Sequence, residues 1–149
     1  MSVLDPALAC ASLTPQAQTG LYVMTVRPEP ELVWDRDPRR FVVDVCNSSP
    51  ETTAEGFRLV IFVYFPAEAR PRGQTSELPI RLGSGLHEVT LESWIPGLQN
   101  HLSACRLQTS VDVSVAYTFP PDYSTFHPIP FADGKEKETF SVQCGGHFP

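Results

Sequence analysis

Lysine is nearly missing: it occurs only as Lys135 and Lys137 in a chain of 149 residues with a formal net charge of -6. The arginines are scattered and form no cluster. Nucleic acids and anionic membrane surfaces are recognised by basic patches that displace counterions from phosphates. The expected partners therefore include no nucleic acid, and the mild acidic excess reads as a solubility feature. No apolar run approaches the roughly 18 residues of a membrane helix, so no membrane insertion is expected. Residues 1–10 have neither the basic start nor the apolar stretch of a secretory leader. The expectation is a cytoplasmic protein, secreted only if a leader has been removed.

Motifs that announce chemistry are also scarce. Cys10, Cys46, Cys105 and Cys144 make no C-x-x-C pair, so a zinc ribbon or thioredoxin-like motif is excluded. His87, His101, His127 and His147 fall at no i,i+2 or i,i+4 spacing, so no local metal pair exists. There is no G-x-S-x-G elbow. Gly83-Ser84-Gly85 has no following helix to present N–H groups to a phosphate. The close carboxylates, Asp35/Asp37 and Glu136/Glu138, read as exposed turns, and the first pair lacks the glycine and later glutamate of a calcium loop. Asn47-Ser48-Ser49 fits a glycosylation sequon but reads as plain loop. No enzyme activity, cofactor or metal is expected. The rival from another class is a metal-dependent hydrolase built on His101, His127 and a cysteine or aspartate.

What is present is proline and period-two patterning. The 15 prolines are about twice the number expected at usual usage, which favours short strands joined by ordered loops. Residues 57–65 form the central strand, with Phe57, Leu59, Ile61, Val63 and Phe65 on one side and Val60, Phe62 and Tyr64 on the other. Both faces are apolar where one sandwich core needs one. The second face calls for cover by the N-terminal arm, a long loop or another subunit. Further strands are expected at 21–26, 41–46, 78–82 and 86–92, the second with Phe41, Val43 and Val45 inward and Cys46 outward. Pro79 puts its strand at an edge. Residues 105–117 alternate longest, and Phe140, Val142 and Cys144 line the last strand.

These seven or eight strands, with no helical period, predict an all-β antiparallel sandwich over residues 20–144, preceded by an arm at 1–19 and followed by a tail at 145–149. The crossover Trp94-Ile95-Pro96-Gly97-Leu98, followed by a long alternating strand, resembles fibronectin-III and related immunoglobulin-like modules. The immunoglobulin cysteine pair is not reproduced, because Cys46 faces away from the core and Cys105 faces into it. Cys105 and Cys144 would meet if the last two strands pair, either as two reduced core residues or as a disulfide.

Residues 119–136 are expected to be a long loop before the last strand. Phe119-Pro-Pro-Asp-Tyr-Ser-Thr-Phe-His-Pro-Ile-Pro-Phe131 concentrates aromatics and prolines, which supply contact area at low ordering cost. Tyr123, Phe126, His127, Ile129 and Phe131 are the candidate partner-binding residues, and the alternative for Phe126 and Phe131 is to cover an open end of the core. In an immunoglobulin-like topology this loop shares one end with residues 47–55 and 83–85. The expected function is a non-catalytic module acting through protein–protein contact, with a protein partner or as a homo-oligomer. A secreted ligand- or carbohydrate-binding module is a third reading.

Overall fold

Alternating side chains give each strand two unlike faces, and in the computed structural model of the chain such strands build two stacked antiparallel sheets. The structure describes residues 10, 20–29, 39–64, 74–75, 77–94 and 110–141. Its strands are β1 (Leu21–Pro28), β2 (Arg39–Asn47), β3 (Arg58–Tyr64), β4 (Gln74–Thr75), β5 (Leu78–Pro79), β6 (Gly85–Trp94), β7 (Ser110–Phe119), β8 (Asp122–Pro128) and β9 (Glu138–Ser141). The first sheet has the order β1-β2-β6-β4. The second has the order β5-β3-β7-β8, with β9 also paired to β7. This all-β antiparallel architecture is compatible with an immunoglobulin-like strand order.

The core lies between the sheets and follows the alternation read from the sequence. Phe41, Val43 and Val45 on β2 meet Leu59, Ile61 and Val63 on β3 and Val111, Val113, Val115 and Tyr117 on β7. β6 adds Val89 and Leu91. On β1 a bulge between Val23 and Thr25 resets the phase, so that both Val23 and Val26 face inward. Each such side chain contributes about 1.5–3 kcal/mol when fully buried.

Three expectations are corrected. Residues 119–136 are not one long loop: β7 turns at Pro120-Pro121 and returns as β8, which pairs with β7 through Phe119↔Asp122, Tyr117↔His127 and Ala116↔Pro128. β9 then takes the other half of the same β7 edge, through Ser110↔Ser141 to Val113↔Glu138. The strand expected at 78–82 is confined to Leu78–Pro79, where Pro79 does sit on an edge strand, opposite Arg58. Gln74–Thr75, where the sequence analysis places no strand, forms β4 in the first sheet, opposite Trp94 and Ser93. The arm at 1–19 apart from Cys10, the tail at 145–149, and the strand positions before 110 and after 141 lie outside the described residues.

Between β8 and β9 the chain ties the two sheets together. Ile129 N–H donates to the Val115 carbonyl of the second sheet. Val23 N–H of the first sheet then donates to the Pro130 carbonyl, and Ala132 N–H donates to the Val23 carbonyl, at 2.9 Å each. The side chains of Ile129 and Phe131 turn into the core from this strap.

Candidate protein-contact surface

The second sheet turns Arg58, Val60, Phe62 and Tyr64 of β3 outward, beside Thr118, Ala116, Ser114 and Asp112 of β7. Val60 nonetheless is 1% exposed. Its outward neighbours on β3, Arg58 and Phe62, are met by Tyr123 and Phe126 of the chain's own β8. Between the pairs Tyr117↔His127 and Phe119↔Asp122 the β8 strand carries extra residues, and this bulge throws Tyr123 and Phe126 over the outer face.

Asp122 holds the bulge. Its carboxylate accepts the Ser124 backbone N–H at 2.9 Å and the hydroxyls of Ser124 and Thr125. These side-chain and backbone hydrogen bonds favour the charged form and lower its pKa to about 2. Next to it, the Tyr123 hydroxyl donates to the Gly56 carbonyl at 3.1 Å. The Arg58 guanidinium lies 3.7 Å from the centre of the Tyr123 ring and donates to Glu77 at 2.9 Å. Gly56 is required here: its φ is +83°, and a Cβ would stand 2.6 Å from Pro120 Cγ and 2.8 Å from the Tyr123 oxygen.

Phe126 completes the surface. Its ring meets Phe62 edge-on with centroids 5.2 Å apart, and Phe62 in turn tilts against Tyr64 at 6.4 Å. Phe126 is still 39% exposed. Beyond Tyr64, Asp112 accepts the Thr139 hydroxyl at 2.6 Å and lies 3.6 Å from the Lys137 ammonium. A groove of about 440 Å³ opens there, lined by Tyr64, Ser114, Pro128, Pro130 and Lys137 among others.

The five candidate contact residues are thus divided by strand parity. Tyr123 and Phe126 are on the outer face. His127 is on the inner side at the open end of the sandwich, where its ring stacks with Tyr117 at 5.0 Å and with the exposed Phe119 at 5.3 Å. Tyr117 continues the stack to Phe57 at 5.3 Å, and burial raises its phenol pKa. Ile129 and Phe131 are core residues and offer no surface to a partner. The sequence pointed to the segment, yet the outward neighbours that complete the surface, Phe62, Tyr64 and Arg58, come from β3. Their signal was the surplus apolar face of residues 57–65.

At the end of the sandwich that carries the β7–β8 turn, the loop from Asn47 and the segment leading into β6 are joined as the topology implied. Thr53 N–H donates to the Leu82 carbonyl, and Leu82 N–H to the Thr53 hydroxyl. Asn47 is 2% exposed, and its amide donates to the carbonyls of Glu51 at 2.8 Å and Leu82 at 3.0 Å. A glycan would replace one of the two hydrogens that this buried nitrogen donates, so the sequon is a buried structural asparagine in this fold.

Among the described residues no group of three or more His, Cys, Asp and Glu side chains is placed to hold a metal. His87 is engaged with the Gly83 carbonyl at 2.8 Å. His101, His147, Cys105 and Cys144 lie outside the described residues, and with them the proposed Cys105–Cys144 contact. Cys46 does face away from the core, as its parity predicts. It is bonded to Cys10, with sulfurs 1.98 Å and Cα atoms 5.5 Å apart. No sequence signal pairs these two, because nothing in the alternation of β2 reports what lies over its outer face. Among the described residues no helix is long and apolar enough to cross a membrane.

No family model and no curated protein matches the chain. Solved structures with a similar chain path include the C-terminal domain of wzt, at 10% identity and a TM-score of 0.48, covering 85% of this chain and 75% of that one. A FixG-related protein from Vibrio parahaemolyticus is similar at 9% identity and a TM-score of 0.40, with 83% and 96% covered. AvmM, which catalyses macrocyclization in alchivemycin A biosynthesis, is similar at 12% identity and a TM-score of 0.35, with 89% and 93% covered.

Proposed function

We propose that the chain is a non-catalytic β-sandwich module that works through a protein contact, made by the outer face of β3, β7 and β8. The observation that supports this is Phe126. The chain lays Tyr123 and Phe126 of β8 against Arg58 and Phe62 but leaves the ring of Phe126 exposed on top of Phe62, beside Tyr64 and the Arg58–Tyr123 stack. Aromatic and arginine side chains held rigidly on strands are the usual anchors of protein interfaces. The partner is another protein or a second copy of this chain.

The test uses a partner identified by co-purification from the native source and then purified. Phe126→Ala should weaken its binding about tenfold, as loss of a contact anchor does, while the circular dichroism spectrum stays unchanged. Solution mass of the isolated chain tells whether the partner is a second copy. Equal affinity for the variant and the parent would refute the surface. Phe131→Ala is no part of this test, since Phe131 is core and its loss would destabilise the fold.

A second reading, the secreted ligand- or carbohydrate-binding module, is favoured by the Cys10–Cys46 disulfide, since such bonds persist in oxidising compartments. Fractionation of the native host separates the two: recovery outside the cytoplasm supports the secreted module, and recovery in the cytoplasm removes it.

A further inference from the structure

β8 and β9 share the edge of β7 without meeting. The last pair of β8 is Ala116↔Pro128, and the nearest pair of β9 is Val113↔Glu138. Ser114 and Val115 lie in the gap, where Ile129 N–H donates to the Val115 carbonyl at 2.9 Å. The groove of about 440 Å³ opens at this gap, a volume within the roughly 300–1,000 Å³ usual for ligand sites. Pro128 and Pro130 line it from the chain leaving β8, Glu136 and Lys137 from the chain entering β9, and Tyr64 and Ser114 from β3 and β7. The chain's only two lysines stand in this segment, and both are engaged. Lys135 is held by Asp133 at 3.2 Å and by Glu138 at 3.1 Å, and Lys137 lies 3.6 Å from Asp112. Glu136 makes no ion pair among the described residues. Asp112, Asp133, Glu136 and Glu138 thus stand against two ammonium groups, an excess of two negative charges.

We propose that this groove receives an arginine side chain of the protein partner, its guanidinium paired with Glu136 and its methylenes laid along Pro128 and Pro130. The proposal rests on the outer face of β3, β7 and β8 being a protein contact, and it names the chemistry of one partner side chain. Charge selects a cation. An incoming carboxylate would meet the excess negative charge, and the one ammonium that lines the groove is already matched by Asp112. Arginine suits the site better than lysine. Its guanidinium is weakly hydrated, which fits walls of proline and tyrosine, and it can give a carboxylate two parallel N–H bonds. The Lys137 ammonium lies 5.9 Å from the centre of the Tyr64 ring, so Glu136, not the face of Tyr64, anchors the incoming charge. Tyr64 also ends the row of rings Phe126–Phe62–Tyr64, so a partner seated on Phe126 carries its neighbouring residues toward the groove.

The groove is tested on the isotopically labelled full chain by titration with acetyl-arginine-methylamide, read from backbone amide shifts. The controls are acetyl-citrulline-methylamide, which has the same shape without the charge, and acetyl-glutamate-methylamide. The arginine probe should shift the amides of Tyr64, Ser114 and Glu136 saturably at millimolar concentration. It should bind about fivefold more tightly than the citrulline probe, as one exposed ion pair allows. Glu136→Gln should erase that difference and leave the citrulline titration as it was. Glu136 is exposed, so the variant keeps the fold. Four results would each overturn the proposal: no saturable shift at those amides, equal binding of the arginine and citrulline probes, tighter binding of the glutamate probe, or full arginine affinity in Glu136→Gln. The probes need no partner, so this result is separate from that of Phe126→Ala. A groove that ignores arginine, with a partner complex still weakened by Phe126→Ala, removes the arginine site and keeps the contact surface. A groove that takes arginine as expected, with a partner indifferent to Phe126→Ala, removes the surface and keeps the arginine preference.

Discussion

On the outer face of the first sheet, the apolar row Tyr22–Cys46–Leu86 receives Cys10, a residue distant in sequence and joined to Cys46 by one covalent bond. On the outer face of the second sheet, Arg58 and Phe62 are met by Tyr123 and Phe126 of β8, which is already a member of that sheet. The first contact is a single covalent bond. The second rests on several weak contacts: the Tyr123–Gly56 hydrogen bond, the Arg58–Tyr123 stack and the Phe62–Phe126 edge contact. The first contact is therefore lost in one step, whereas the second is altered one contact at a time. The β8 cover also leaves an aromatic ring in solvent.

The largest effect should come from removing the covalent contact. The bond joins residues 36 apart in sequence, and loop-closure entropy over that distance amounts to about 4 kcal/mol. Cys10→Ser/Cys46→Ser should lower the unfolding free energy in urea by roughly that amount, relative to oxidised parent protein. An unchanged midpoint would mean that the cross-link contributes nothing to the folded state.

On the second sheet the largest single effect should be at Gly56. Gly56→Val forces a β-branched residue into a positive φ and drives its Cβ into Pro120 and the Tyr123 hydroxyl. The expected loss is about 3 kcal/mol by urea denaturation. Gly134→Ala is the control, because Gly134 also has a positive φ, of +91°, but open space around it. Its cost should be about 1 kcal/mol. Equal costs at the two positions would show that the β7–β8 turn does not press on β3. Tyr123→Phe is also milder than the change at Gly56. It keeps the ring under Arg58 and removes the bond to the Gly56 carbonyl, for an expected loss of about 1 kcal/mol.

The same contrast marks what could be read from the sequence. The inner face was legible because alternation is a local property: Phe41, Val43, Val45, Leu59, Ile61 and Val63 announce their side without reference to any partner. The surplus apolar face of β3 was legible for the same reason. What covered it was not. β8 has no alternation to show, since Asp122, Ser124 and Thr125 form a hydrogen-bonded bulge and Pro120, Pro121, Pro128 and Pro130 flank or punctuate it. Proline and aromatic content therefore read as a long loop. Ile129 and Phe131 were grouped with Tyr123 and Phe126 by composition. Only the strap to Val23 sends the first two inward. Cys46 faced outward by parity, but its partner depends on a long-range approach that no period encodes.

The smallest effect tests how the bulge is held. Asp122 is fully exposed, and its hydrogen bonds lower its pKa to about 2, against about 3.9 for an unfolded aspartate. A lowered folded-state pKa means that ionised Asp122 favours the folded bulge. That contribution is fully present above about pH 4 and is lost as the pH falls through about 2. Solvent screens an exposed carboxylate, so the change should be local, with Tyr123 and Phe126 loosening over Gly56 and Phe62 while the sheets persist. Carbon-13 spectra of the aspartate carboxyls should show Asp122 still ionised at about pH 3, where an ordinary aspartate is mostly protonated. In Asp122→Asn the Tyr123 and Phe126 ring resonances should no longer move between about pH 4 and 2. If Asp122 titrates like an unfolded aspartate, the hydrogen bonds to Ser124 and Thr125 do not hold the bulge, and the aromatic cover of β3 stands on the Gly56 and Phe62 contacts alone.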